Sequence, residues 1–401
     1  MFNIINKFGS NNIFMKFNKI PRQVIILGFV SLFTDIASEM LYPITPIFLT
    51  SILGASMLTV GLIEGLAEFI SGFLKGYFGR LSDKLKKRSV FVKGGYTLSA
   101  ISKPLPGIFP FVPAVLFSRI TDRIGKGMRT SPRDALLAAN SNGNTGAIFG
   151  FHRGMDTLGA VIGPITALVL LHFYPNNYRL IFIIAFFPSI LAVSFTAFVK
   201  EKIVEKKQTP KMNYPAFWKS SPAKYKQLVF LVVLFSIVNS SDVFLILKSK
   251  NISHSNILAV SGYIFYNFIY AIASYPIGKI SDKLGKGRVF TFGLFIFSMV
   301  YFGFAVSLNL SFIWILFMFY GIYAASTEGV TKAWVSDLIT DEKRGTAIGL
   351  LTMLSSFAVM IGSFLTGILW DSFGSIVPFL FSSIISFFIA VSFIFIKLNK
   401  K

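Results

Sequence analysis

Between Asp122 and Ala138 the chain reads DRIGKGMRTSPRDALLA, four basic and two acidic side chains in a protein where only 14% of residues are charged. Such a cluster could cradle a phosphate, grip nucleic acid, or form ion pairs inside a membrane. The phosphate-loop spacing G-x-x-x-x-G-K-[ST] is absent, because Lys126 is followed by Gly127 and no glycine stands five residues before Gly125. On a helix, Arg119, Asp122, Arg123, Lys126, Arg129, Arg133 and Asp134 share an arc of about 140°. Phe117, Ile124, Met128 and Ala135 fall on the other side. Each charge near a bilayer centre costs about 2.5–3.5 kcal/mol on an insertion scale, so this face must point inward or find partners. Arg119, Arg123 and Lys126 are therefore candidate substrate contacts. Arg129, Arg133 and Asp134 are expected at a cytoplasmic gate.

Acids to meet these bases lie elsewhere. Asp35 with Glu39, and Glu64 with Glu68, are spaced four residues apart, which puts each pair on one helix face. Asp156 has Arg153 nearby, and the second half of the chain adds Asn239, Asp242 and Glu328. A carboxyl that alternates between apolar surroundings and a neighbouring cation takes up and releases a proton. Asp35, Glu39, Glu64 and Glu68 are thus proton-coupling candidates, against the alternative that they form static ion pairs. The bases suit an anionic or zwitterionic substrate; Asn239, Asp242 and Glu328 line the same expected site, and the two acids would suit a cation.

The elements that hold these residues follow from composition. Of 401 residues 54% are hydrophobic, which marks a polytopic membrane protein. Runs of helix length recur near 23–49, 56–78, 89–109, 112–137, 146–171, 179–199, 226–247, 256–277, 288–307, 310–333, 345–370 and 375–397, each near the ~20 residues that cross a bilayer. The first is read as a retained span rather than a signal peptide. Without cysteine, and with three scattered histidines, no metal or cofactor is expected. The net charge of +22 is assigned to positively charged loops in contact with lipid rather than to nucleic acid. Arg80, Lys84, Lys86, Lys87 and Arg88 follow span two, lysines fill 200–226, and Lys279, Lys283, Lys286 and Arg288 follow span eight, whereas loops 50–55 and 308–309 have none. Both termini should then be cytoplasmic. The expected division is a segment 1–22, a six-helix bundle 23–199, a linker 200–225, a second bundle 226–397 and a tail 398–401.

A repeat supports two halves. GRLSDKLKKR from Gly79 and GKISDKLGKGR from Gly278 lie 199 residues apart, and the same offset pairs Gly146 with Gly345, Gly150 with Gly349 and Gly163 with Gly362. The first string resembles the loop between spans two and three of the major facilitator superfamily, in Gly79, Leu81, Asp83, Lys84, Lys87 and Arg88, with Lys86 in place of the second glycine. Gly278, Asp282, Lys283, Gly285 and Lys286 form its second copy. Physically, Gly79 would let the helix end turn, and Asp83 would cap a helix N-terminus. The resemblance implies a conformational switch. In span five, Gly150, Gly159, Gly163 and Pro164 are similar to the antiporter pattern of drug-exporting branches, and Arg123-x-x-Lys126-Gly127 resembles a span-four pattern whose arginine is linked with proton transfer. Taken together the chain resembles the twelve-helix proton-coupled exporter branch, in a poorly characterised bacterial subgroup.

The expected fold class is an all-α polytopic membrane protein with twelve transmembrane helices in two pseudo-symmetric six-helix bundles. Its expected work is alternating-access transport of a small molecule, coupled to protons as efflux, by a monomer in the bacterial inner membrane. Proton-coupled uptake of an organic anion or nutrient stands as the alternative. A non-transporting receptor is disfavoured by the lack of a soluble output domain, and an enzyme by the lack of a nucleophile motif.

Overall fold

The computed structural model describes residues 20–140, 145–201, 214–307, 309–340 and 343–395. Among the described residues there are helices and no strands. They make twelve spans. The first six are Arg22–Leu41 continued by Ile44–Ser51, Met57–Leu85, Arg88–Ser102 continued by Leu105–Ile108, Val112–Ala139, Thr145–Phe173, and Tyr178–Ile184 continued by Phe186–Thr196. The second six are Ala223–Val238 continued by Val243–Ser253, Asn256–Leu284, Lys286–Val306, Leu310–Leu338, Arg344–Phe373 and Ile376–Phe395. Ten are long and apolar enough to cross a membrane. Spans three and four are not among these ten, and charge crowds span four.

The repeat extends to helix ends. Moving span two along the chain by 199 residues superposes its bounds on span eight, Asn256–Leu284. Their N-caps follow the same offset: Ser56 accepts from the Thr59 amide at 3.2 Å and Ser255 from the Leu258 amide at 3.3 Å. The helix reversal after each also corresponds, but with different residues. Lys86 takes the left-handed conformation (φ 53°) that a side chain disfavours, where the second copy has Gly285 (φ 95°).

This corrects the local reading of the loop. Gly79 is not at a turn; it lies inside span two, where an added Cβ would come within 3.0 Å of the Ser131 Cβ of span four. Asp83 is also inside that helix, and its side-chain surroundings, like those of Gly150, lie outside the described residues. The amide of Ser89, at the start of span three, instead donates to the Glu201 carboxylate at 2.7 Å. Lys87 sits at that N-cap without a side-chain cap, and Arg88 opens the helix. Within the expected linker, Tyr214–Ser220 is helical, while 202–213 lie outside the described residues.

The halves meet chiefly along spans two and eleven. A Cβ at Gly61 would strike the Ser363 carbonyl at 2.2 Å, one at Gly65 the Met360 carbonyl at 2.9 Å, and Gly72 faces Ser356. At the end remote from the basic loops, Asp371 of span eleven accepts from the Met57 and Leu58 amides at 2.9 and 2.7 Å. Tyr178 accepts from Asn256 at 2.6 Å, and Lys250 donates to Ser51. These contacts close that end.

Span five packs its glycines on span one, at the turn that carries two acids. A Cβ at Gly159 would lie 2.9 Å from the Asp35 Cβ, and one at Gly163 would lie 2.5 Å from the Ile36 carbonyl and 3.2 Å from the Glu39 Cβ. Pro164 follows inside a continuous helix. Gly163→Leu is accordingly expected to destabilise the protein by about 1–3 kcal/mol through overpacking, read as a fall in thermal midpoint of the purified chain. An unchanged midpoint would show that the two spans separate at no cost.

Candidate functional site

Span four presents its charges inward, as the periodicity requires: Asp122, Arg123 and Arg129 are buried, whereas Phe117 on the other side is 62% exposed. Three of the deeper span-four charges meet a particular neighbour. Arg119 grips Glu64 in a bidentate pair, with Nε to Oε1 at 2.9 Å and a second contact to Oε2, and its guanidinium lies 5.8 Å from the centre of the Tyr42 ring. Arg123 reaches Glu68 at 3.5 Å. Asp122 is held by Lys103 at 3.1 Å and by the Ser99 hydroxyl. Spans two, three and four are thereby laced together by alternating charge.

Two bases and two acids stand apart from this lacing. Among the described residues, neither Lys126 nor Arg129 makes an ion pair; Arg129 lies 4.5 Å over the Tyr96 ring. Asp35 also has no ion pair, and Glu39 accepts only a hydrogen bond, from the Tyr263 hydroxyl of span eight at 3.1 Å. All four line one cavity, together with Arg119 and Arg123. Its space of about 50 Å³ is enough for a few waters, at ~10–15 Å³ each. Glu68, at mid-helix, keeps 42% of its side chain exposed.

The second half contributes aromatic hydroxyls in place of bases. Span seven breaks between Val238 and Val243, and Asp242 in the break accepts from Tyr266 at 3.1 Å and Tyr320 at 2.6 Å. Asn239 shares the break, its Oδ1 buried without a hydrogen-bond partner. Glu328 is exposed and accepts from Tyr270 at 2.8 Å. The ring of Tyr263 lies 5.2 Å from that of Tyr42, bringing the halves together beside Glu39.

Several sequence expectations resolve differently. Asp156 pairs with His152 at 3.4 Å, rather than with the nearby Arg153 that the sequence suggests. Arg133 binds the adjacent Asp134 at 2.9 Å and donates to Ser31 of span one at 3.2 Å, away from the cavity. Arg129 lines the cavity, although its position was expected to belong to a gate. In the second loop copy Lys286 bridges Asp282 at 3.6 Å and Asp337 of span ten, and a Cβ at Gly278 would meet open space. Lys103 was missed, although one lysine in the apolar run ISKPLPG was the available signal. Tyr42, Tyr263, Tyr266 and Tyr320 carried no spacing that marked them.

Comparison with known proteins accounts for this architecture. The family profile of the Major Facilitator Superfamily matches residues 27–265 and 243–401. An uncharacterized MFS-type transporter of Methanocaldococcus jannaschii is 34% identical over 385 residues, covering 94% of this chain and 96% of that one. The proton-coupled antiporter flippase LtaA of Staphylococcus saprophyticus is 22% identical over 350 residues, 84% of each chain. A crystal structure of the nucleoside transporter NupG superposes with a TM-score of 0.80 at 13% identity, over 94% of this chain and 100% of that one. With profile matches running through both six-helix halves, the chain belongs to the Major Facilitator Superfamily and is a secondary transporter rather than an enzyme.

Proposed function

We propose that the protein is a proton-coupled antiporter that exports a small molecule, working as a monomer in a bacterial inner membrane with its termini and basic loops in the cytoplasm. The observation that carries this reading is the contrast among carboxylates. Glu64, Glu68 and Asp122 are each committed to a base, while Asp35 and Glu39 line a cavity without one. An uncommitted carboxyl in a polar cavity is the group best placed to exchange a proton. Segments 23–199 and 226–397 are the two bodies that rock about the cavity, joined by 200–225. The contacts closing the end remote from the basic loops correspond to an inward-facing state. The likeness to a relative named as a proton-coupled antiporter supports the reading.

Arg119, Arg123, Lys126, Asn239, Asp242 and Glu328 are the proposed substrate contacts. The switch lies in the two loop copies, Gly79, Asp83, Lys87 and Arg88 with Gly278 and Asp282, together with Arg129, Arg133 and Asp134 and the span-five residues Gly150, Gly159, Gly163 and Pro164. A second reading, uptake of an organic anion with protons, is favoured by Lys126 and Arg129, which line the cavity without an acid partner. An anion there would bind best once nearby carboxyls are protonated, and would then travel with the proton.

The test begins with thermal stabilisation of purified protein across a metabolite and drug panel, since ligand binding to the native state raises apparent stability. A stabilising compound is then loaded into proteoliposomes under pH gradients of either sign. Movement of the compound against the proton flow is expected. Movement with the protons would establish symport instead, and indifference to the gradient would remove proton coupling.

A further inference from the structure

At the basic end, spans two and eleven part, and the linker helix enters the gap. Tyr214 places its hydroxyl between two glycines, 3.2 Å from a Cβ built at Gly76 of span two and 3.3 Å from one built at Gly349 of span eleven. Beside it opens a groove of about 610 Å³. Its walls are apolar, with Phe73, Tyr77 and Leu81 on one side and Met353 on the other. Phe73 and Tyr77 are 47% and 56% exposed, large apolar surface left uncovered among the described residues.

The groove has a polar end. Arg80 and Lys84 line it, one turn apart, and the Arg80 guanidinium lies 4.5 Å from the centre of the Tyr214 ring. Among the described residues neither base has an ion pair. From Gly72 to Lys84 a helix rises about 18 Å, close to the length of an extended lipid tail. The linker helix adds Trp218, with Lys226 Nζ 6.0 Å from its ring centre. Tyrosine, tryptophan and basic residues together mark the level of lipid headgroups.

We propose that this groove binds one anionic phospholipid, its acyl chain along Phe73, Tyr77 and Met353 and its phosphate on Arg80 and Lys84. Charge complementarity selects the headgroup and the apolar walls select the tail. The lipid bridges span two, the linker helix and span eleven, hence both halves of the protein. The site is separate from the central cavity, and the proposal does not depend on substrate or coupling.

The repeat supplies a matched control. Offset by 199 residues, Arg80 and Lys84 correspond to Lys279 and Lys283, and Lys279 likewise lies over a tyrosine, 4.5 Å from the Tyr275 ring centre. The linker helix packs beside the first pair. The experiment measures binding of dioleoyl phosphatidylglycerol to delipidated full-length protein by native mass spectrometry, with dioleoyl phosphatidylcholine and free glycerol phosphate as further probes. One tightly held phosphatidylglycerol per chain is expected. Arg80→Gln with Lys84→Gln should weaken it about tenfold or more, whereas Lys279→Gln with Lys283→Gln should change it less than about twofold. Thermal midpoints of both double variants report whether each is folded, and Tyr214→Ala gives an independent perturbation that leaves net charge intact and should also weaken binding. Equal affinity for phosphatidylcholine, displacement by glycerol phosphate, or the same loss in the Arg80/Lys84 and Lys279/Lys283 double variants would overturn the proposal.

Discussion

Replacing Arg119 by methionine is expected to destabilise the protein by about 3–5 kcal/mol, the range for removing one partner of a buried ion pair. Glu64 is 1% exposed and both its oxygens face the Arg119 guanidinium. Without that cation the buried carboxylate loses its direct countercharge and both of its hydrogen bonds. Removing both partners tests the same logic in reverse. In Glu64→Leu with Arg119→Met neither charge remains, and most of the loss should return. Glu64→Gln should cost less than Arg119→Met, because Arg119 lines the cavity and retains access to water and to the Tyr42 ring. Thermal unfolding of the native protein, Arg119→Met, Glu64→Leu and the double variant completes a double-mutant cycle, with Glu64→Gln as a separate comparison. A midpoint unaffected by Arg119→Met would mean that the pair does not hold spans two and four together. The double variant also separates roles for Arg119: restored stability with lost ligand binding assigns it to substrate, while restored binding assigns it to structure.

The spans were legible because apolar runs of bilayer length leave few alternatives, and the repeat was legible because loop strings and glycines recur at one offset. The inward charge face of span four followed from helical period alone, and Phe117 confirms its outer side. Partner choice was another matter. Arg119 and Glu64 are 55 residues apart, and only the packing of span two on span four decides that Glu64 meets Arg119 while Glu68 meets Arg123. Tyrosines escaped notice because a hydroxyl in an apolar run leaves no charge pattern; Tyr266 and Tyr320 became visible only where the broken span seven brings Asp242 between them. The loop motif misled through its local geometry. Its glycine was taken for a turn, yet the turn falls at Lys86 and the glycine serves close packing on Ser131.

Asp35→Asn is expected to abolish the gradient-driven part of transport while leaving ligand binding and ligand exchange in place. The substitution preserves shape and removes the titratable group, so the packing of Gly159 against this turn is maintained. Asp35 shares its cavity with Lys126 and Arg129 but is ion-paired to neither. It is therefore free to exchange a proton without first breaking a buried pair, which distinguishes it from Glu64. One proton per substrate and a gradient of one pH unit would support about tenfold accumulation, since about 1.4 kcal/mol corresponds to a factor of ten. In proteoliposomes the native protein should approach that ratio, and Asp35→Asn should stop near the ligand's own equilibrium. Glu39→Gln offers the informative comparison, because Glu39 also accepts from Tyr263 across the two halves. A glutamine oxygen still accepts that bond, so a coupling defect in Glu39→Gln would point to its proton rather than to the contact. If Asp35→Asn still concentrates ligand tenfold under the same gradient, Asp35 is not the coupling carboxyl and Glu39 becomes the remaining uncommitted acid in the cavity.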